Sequence, residues 1–293
     1  MDASDAKAPP PKATKRLTIV GIGASAGGLE ALQALLGAVE LDCLALIVVQ
    51  HLSPEHKSQL AEILARATKL EVVTATEGLL VEANHVYVIP PNAELFLRDC
   101  RLHLRPPSSG VRLPVDAFFR SLAEDQGPTA IGVVLSGTGG DGTFGLKAIK
   151  AAGGIALAQD PLTAKYDGMP RHALDAGWVD FAMAPERIGH ELTRLSRLPP
   201  LGQPHPKAPR LQDELAKILG LVRVAFGTDL SGYKPSTLER RLERRLALNK
   251  LERLEDYFVS ARRTWGGRWT SSMPFWASRS GRSSPSSSIG SRR

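Results

Sequence analysis

Cysteine is almost missing from this chain, with two in 293 residues. Cys43 and Cys100 lie far apart, without a CxxC pair or a histidine at ligand spacing, so neither a disulfide framework nor a zinc site is expected. A thiol content this low suits a reducing cytoplasm. Also missing is any apolar run of about 18 residues, the length a bilayer span requires. The opening stretch MDASDAKAPPPKATKR lacks the apolar segment of a signal peptide. Membrane insertion and export are therefore not expected. Aromatic residues make up only 5%, but 43% hydrophobic and 23% charged residues is an ordinary globular balance.

Acids are absent from residues 263–293, which hold six arginines and ten serines. The formal charge of +7 is concentrated there: residues 211–262 carry a net +2 and residues 1–210 a net −1. The high charge therefore says nothing about the ligand of the folded part, and a nucleic-acid partner is not expected.

What is present is an alternation of short apolar runs and helical repeats. RLTIVGIG reads as a buried strand, GLEALQALLGAV as a helix with Leu29, Leu32, Leu36 and Val39 at helical spacing, and LALIVVQH as a second strand. The pattern continues through SQLAEILARAT, LEVVTAT and HVYVIPP, and LFLRD with RLHLR reads as a hairpin that makes the sheet mixed in places. DAFFRSLAEDQG, AIGVVLSG, GTFGLKAIKAAGG, IALAQD and PRHALDAG complete the alternation. The fold class is α/β, a doubly wound and mainly parallel sheet with helices on both faces, plus a small all-α C-terminal module. The expected boundaries are a flexible leader at 1–15, a catalytic domain at 16–197 and a Pro-rich linker at 198–210. A helical module follows at 211–262, where Leu238, Leu242 and Leu246 are spaced by four, and then a disordered tail at 263–293.

In an open parallel sheet, functional groups gather beyond the carboxyl ends of the strands. Three segments end there with reactive residues: GIGASAGG brings Ser25, QH brings His51, and SGTGGDGTFG brings Asp141. A hydroxyl nucleophile needs a base to take its proton, and an imidazole base needs a carboxylate to fix its tautomer. Each piece has another reading. GIGASAGG is close to the GxGxxG of dinucleotide-binding turns, which fits the spacing equally well, although such folds place an acid at the end of the second strand and here stand Gln50 and His51. A strand-end histidine is usually only polar, and a glycine-rich loop can be only a turn. His56, His85, His103, His172, His190 and His205 lack comparable placement and read as surface or packing residues, and the LERRLERR run reads as a solvated helix face.

Seven segments in order, GIGASAGGLEAL, VVQHL, HVYVIPPN, LPVDAFFRSLA, VLSGTGGDGTFGLKAI, AQD and DGMPRHAL, resemble the catalytic domain of the chemotaxis methylesterase CheB over about residues 16–195. The resemblance implies a serine hydrolase that removes methyl groups from γ-glutamyl methyl esters of chemoreceptors and also deamidates receptor glutamines, with Ser25, His51 and Asp141 as its triad and no cofactor. Its partner would be a methylated chemoreceptor or receptor-like signalling protein. Family members commonly carry Thr after the nucleophile and Met two residues into the aspartate loop. Here stand Ala26 and Thr138, oxyanion- and substrate-adjacent in the resemblance: where such positions serve through backbone N–H groups the substitutions matter little, and where they serve through side chains rate or specificity changes. Many members begin with a receiver domain, whereas only about 15 residues precede the first strand here, so gating by phosphorylation of such a domain is not expected. Residues from Leu215 to Phe258 resemble the N-terminal helical domain of the methyltransferase CheR, without the S-adenosylmethionine-binding domain, so methyl transfer is not expected. The tail reads as a frame-shifted or truncated end. A nucleotide-binding module or a non-catalytic signalling scaffold are the alternatives.

Overall fold

The computed structural model describes residues 17–50, 59–107 and 112–197. They belong to one compact unit, Met1–Gln203. The leader, the linker, the C-terminal module and the tail expected from the sequence lie outside the described residues, as does His51.

The strands β1 (Thr18–Ala24) and β2 (Leu44–Gln50) are buried along nearly their whole length. Continuous apolar burial is what a strand covered on both faces requires. They occupy the middle of a seven-stranded sheet, with β3 (Glu71–Thr74), β5 (His85–Val88), β8 (Ile131–Val134), β9 (Ile155–Gln159) and β10 (Phe181–Met183), in the order β10-β9-β8-β1-β2-β5-β3. Every pairing in this sheet is parallel. The expectation of a partly mixed sheet is corrected here. The hairpin of β6 (Glu94–Arg98) and β7 (Arg101–Arg105) pairs with β4 (Leu79–Leu80) in a separate three-stranded antiparallel sheet. Its two-residue turn holds Asp99 and Cys100 at φ 51° and 56°, the left-handed pair a tight hairpin demands. A two-residue turn can join only antiparallel strands, and β6 and β7 pair with each other and with β4 rather than with any strand of the main sheet.

Helices α1 (Gly28–Gly37) and α2 (Leu60–Ala65) come before the hairpin, and α3 (Pro114–Gln126), α4 (Thr143–Ala151), α5 (Gly168–Asp175) and α6 (Pro185–Ser196) after it. From β1 the chain runs through α1 to β2 on one side, and from β8 through α4 to β9 on the other. Right-handed crossovers in opposite directions put α1 and α4 on opposite faces. The face of α3, α4 and α5 shares one apolar cluster with Ile19, Ala45, Ile47 and Val49, while α1 packs against α6. No helix among the described residues is long and apolar enough to cross a membrane.

Two glycines of β1 explain how closely α3 lies on the sheet. A Cβ at Gly21 would stand 2.9 Å from ring atoms of Phe118 and Phe119, and one at Gly23 would stand 2.2 Å from Val115 Cγ1. The first glycines of the GxGxxG-like run therefore make room for a helix, which accounts for them without a phosphate ligand. β10 and α6 were not anticipated. β10 is a three-residue edge strand. α6 does carry a start signal, Pro185 at its first turn, with Ile188, Leu192 and Leu195 buried at helical spacing.

Candidate active site

The chain winds in both directions from β1, so the topological switch lies between β1 and β8, the place where such sheets open a crevice. Ser25 directly follows β1. Its N–H donates to the carbonyl of Ser136 (3.0 Å), extending the β1–β8 ladder past the strand ends, and its carbonyl accepts from Gly28 N–H (2.9 Å) at the start of α1. Gly27 makes that turn at φ 68°. The two loops are in close contact: a Cβ on Gly137 would lie 2.9 Å from Ser25 Cβ and 2.1 Å from Met169 Sδ. Ser25 is half-buried, whereas Ala26 and Thr138 are exposed on these two loops.

Asp141, in the loop between β8 and α4, is 3% exposed. Its carboxylate accepts from Val115 N–H (3.1 Å) and Asp116 N–H (2.9 Å), in the first turn of α3, and from Gly142 N–H (2.9 Å). A carboxylate at a helix N-terminus is favoured both by the unpaired N–H groups there and by the helix dipole. Beside it, Asp116 is 1% exposed. Burial above all, and then the charge of Asp141, push the Asp116 carboxyl above the usual carboxylate range against the pull of Gly145 N–H and Arg120.

A set of residues that sequence reasoning passed over joins the two loops. Ser136 is fully buried; its Oγ lies 2.9 Å from the Ala26 carbonyl and 3.2 Å from that of Tyr166, and accepts from Tyr166 N–H at 3.0 Å. Its N–H donates to Oε1 of buried Gln159 (2.9 Å), whose Nε2 donates to the Thr163 carbonyl (3.0 Å). Gly137 N–H and carbonyl pair with the Tyr166 carbonyl and Met169 N–H. The signal was available: Ser136 and Gln159 stand inside the quoted segments VLSGTGGDGTFGLKAI and AQD, as polar residues at the ends of apolar strands.

The structure thus brings Ser25, Ala26, Thr138 and Asp141 to the carboxyl edge of adjacent strands. His51 falls outside the described residues, but the residue before it does not. Gln50 closes β2 in register with Ala24, the residue before Ser25. Gln50, Ile89, Pro90, Asn92, Arg112 and Pro114 line a cavity of about 250 Å³ beyond β2 and β5. His172, at the edge of the aspartate loop, holds its Nδ1 2.7 Å from the Gly168 carbonyl. Among the described residues, no cluster of three or more His, Cys, Asp or Glu side chains could hold a metal ion.

Residues 20–192 match the family CheB methylesterase, and residues 213–261 match the all-alpha domain of CheR methyltransferase. A Rhodobacter capsulatus protein described as an uncharacterized 104.1 kDa protein in the hypE 3′ region is 38% identical over 68% of this chain and 23% of its own length. A protein-glutamate methylesterase/protein-glutamine glutaminase of Gluconobacter oxydans is 37% identical over 61% of this chain and 53% of its own. The chain thus spans about half the length of the Gluconobacter relative and about a quarter of the Rhodobacter one. Among solved structures, the CheB methylesterase catalytic domain of Thermotoga maritima superposes with a TM-score of 0.55 at 29% identity, covering 61% of this chain and 98% of that one. On the extent of the first match, which takes in more than half of its residues, the chain belongs to the CheB methylesterase family.

Proposed function

We propose that the chain is a protein-glutamate methylesterase in which Ser25 is the nucleophile, His51 its base and Asp141 the carboxylate that orients the histidine. The observation that carries this reading is the register of β1 and β2: Ala24 pairs with Gln50, so the residues that precede Ser25 and His51 are neighbours across one ladder. β8, whose loop holds Asp141, pairs with the other side of β1. Ser25 Oγ attacks the γ-carbonyl of a glutamyl methyl ester as His51 takes its proton. The oxyanion is held by backbone N–H groups at Ala26 and Thr138. His51 returns the proton to the methoxide, methanol leaves, and water, activated by the same base, hydrolyses the acyl-enzyme to the free carboxylate. A glutamine side chain in the same site would follow the same course and release ammonia.

The substrate in this reading is a methylated chemoreceptor or receptor-like signalling protein, and the site is cytoplasmic, in keeping with the free thiols of Cys43 and Cys100. The segment at 16–197 would be the catalytic domain. The test is methanol release from methylated receptor fragments by the full chain and by Ser25→Ala. Release by the wild type and none by the variant supports the assignment. Equal release by both overturns it, and no release by either favours a signalling scaffold.

A further inference from the structure

Asp116 is the third residue of α3, but its carboxylate serves another helix. Oδ1 accepts from Gly145 N–H at 2.6 Å, the third N–H of α4. In the opposite direction, Asp141, just ahead of α4, accepts from the N–H groups of Val115 and Asp116, the second and third residues of α3 and, since Pro114 has none, its first two donors. The two helix N-termini cap each other. Neither has a side-chain cap of its own, since the residues ahead of them are Leu113 and Gly142. First-turn N–H groups find no partner within their helix, so each carboxylate supplies acceptors the other helix needs. The helices meet at backbone level: a Cβ on Gly145 would lie 2.5 Å from Phe119 Cβ and 3.1 Å from Asp116 Cα.

Asp116 Oδ2 is buried without a hydrogen-bond partner among the described residues. An unpaired oxygen of an ionised carboxylate is costly in such a place, and the groups that face it, Asp141 across the contact and Arg120 on its own helix, act in opposite senses. What the geometry keeps among the described residues is the bond to Gly145, with the Gly142 N–H acting on the same carboxylate more weakly. Asp141 and Gly145 are four residues apart in sequence, so any drift of the α4 start away from α3 carries the Asp141 carboxylate with it.

Resting on the reading of Asp141 as the carboxylate that orients His51, we propose that Asp116 is a positioning residue: its bond to Gly145 clamps the start of α4 onto α3 and thereby fixes the Asp141 carboxylate. The requirement is for an acceptor oxygen at that point, not for a charge.

The experiment compares Asp116→Asn, Asp116→Ala and Asp141→Ala in the full chain, measuring methanol release from methylated receptor fragments as kcat and KM across pH, below each variant's melting temperature. Asparagine keeps the acceptor and should hold kcat within about threefold. Alanine should lower kcat by about 10- to 100-fold, the effect of displacing a catalytic group by about an ångström, with KM changed little. In the alanine variant the acid limb of kcat should also move to lower pH, because a displaced Asp141 stabilises the protonated imidazole less. If Asp116→Ala keeps wild-type kcat and an unmoved limb while Asp141→Ala is inactive, the positioning role falls and the triad stands. If Asp141→Ala is fully active, the triad reading falls instead. Equal losses in the asparagine and alanine variants overturn the acceptor argument. Should Asp116→Ala not fold, Asp116→Ser, too short to reach Gly145, is judged by the same criteria.

Discussion

The two glycine-rich loops at the carboxyl edge look alike in sequence and are built differently. In GIGASAGG, Gly21 and Gly23 belong to β1 and yield space to α3, and the backbone of the residue proposed as nucleophile is held, among the described residues, by bonds to Ser136 and Gly28. In SGTGGDGTFG, Gly139 and Gly142 turn the chain at φ 79° and 91°, and the carboxylate at the centre is buried and receives three peptide N–H groups. Ser25 is half-buried, whereas Asp141 is buried and its carboxylate is part of the packing. Chemistry and stability can therefore be separated by mutation at Ser25 and not at Asp141.

The largest effects should show this difference directly. Ser25→Ala and Asp141→Ala should each depress methanol release by about 10⁴-fold or more. Their melting curves should part: Ser25→Ala should stay within about 0.5 kcal/mol of wild type. Asp141→Ala should lose about 2–4 kcal/mol in urea unfolding, because buried N–H groups lose their acceptor. Equal stability of the two variants would break the comparison. His51→Ala should resemble Ser25→Ala in activity, whereas His172→Ala should leave kcat within about twofold, and a reversal would move the base to the edge of the aspartate loop.

Next in size are the glycines themselves. Gly23→Ala drives a methyl group into Val115, whose N–H is one of the donors to Asp141. It should cost about 1–3 kcal/mol as overpacking and lower kcat as well. Gly139→Ala meets nothing within 4 Å and bears only its left-handed backbone, about 1–2 kcal/mol. If Gly139→Ala proved the more damaging for stability, conformational strain rather than packing would govern both loops.

How much of this could be read without coordinates follows the same division. The middle of the parallel core was legible because β1, β2, β8 and β9 are continuous apolar runs that lead into glycine-rich or polar residues. The loops bearing Ser25 and Asp141 were legible because reactive residues stand out against small neighbours. The cross-capping of α3 and α4 was not, since Asp116 inside LPVDAFFRSLA has the look of an ordinary first-turn acid, and nothing local says that its oxygen bonds a peptide 29 residues away. Ser136 and Gln159 were missed for the same reason: their partners are distant in sequence. The exclusion of the hairpin from the main sheet was hidden too, because alternation reveals a strand but not the sheet it joins.

The smallest effect concerns protons. Burial and the neighbouring Asp141 raise the Asp116 carboxyl above its ordinary value, so the folded state binds that proton more tightly than the unfolded one. Between the ordinary aspartate value and the raised one, the native state carries more protons than the unfolded state, and stability falls as pH rises. The stabilising contribution is complete below that window and is lost on passing above the raised value. Asp116→Asn has no such proton to lose. Urea midpoints measured across mildly acidic pH should fall more steeply for the wild type than for Asp116→Asn, so that the variant gains relative stability as pH rises. Parallel curves would mean that Asp116 ionises in the fold as readily as in the unfolded chain, and that its burial beside Asp141 leaves its proton affinity unchanged.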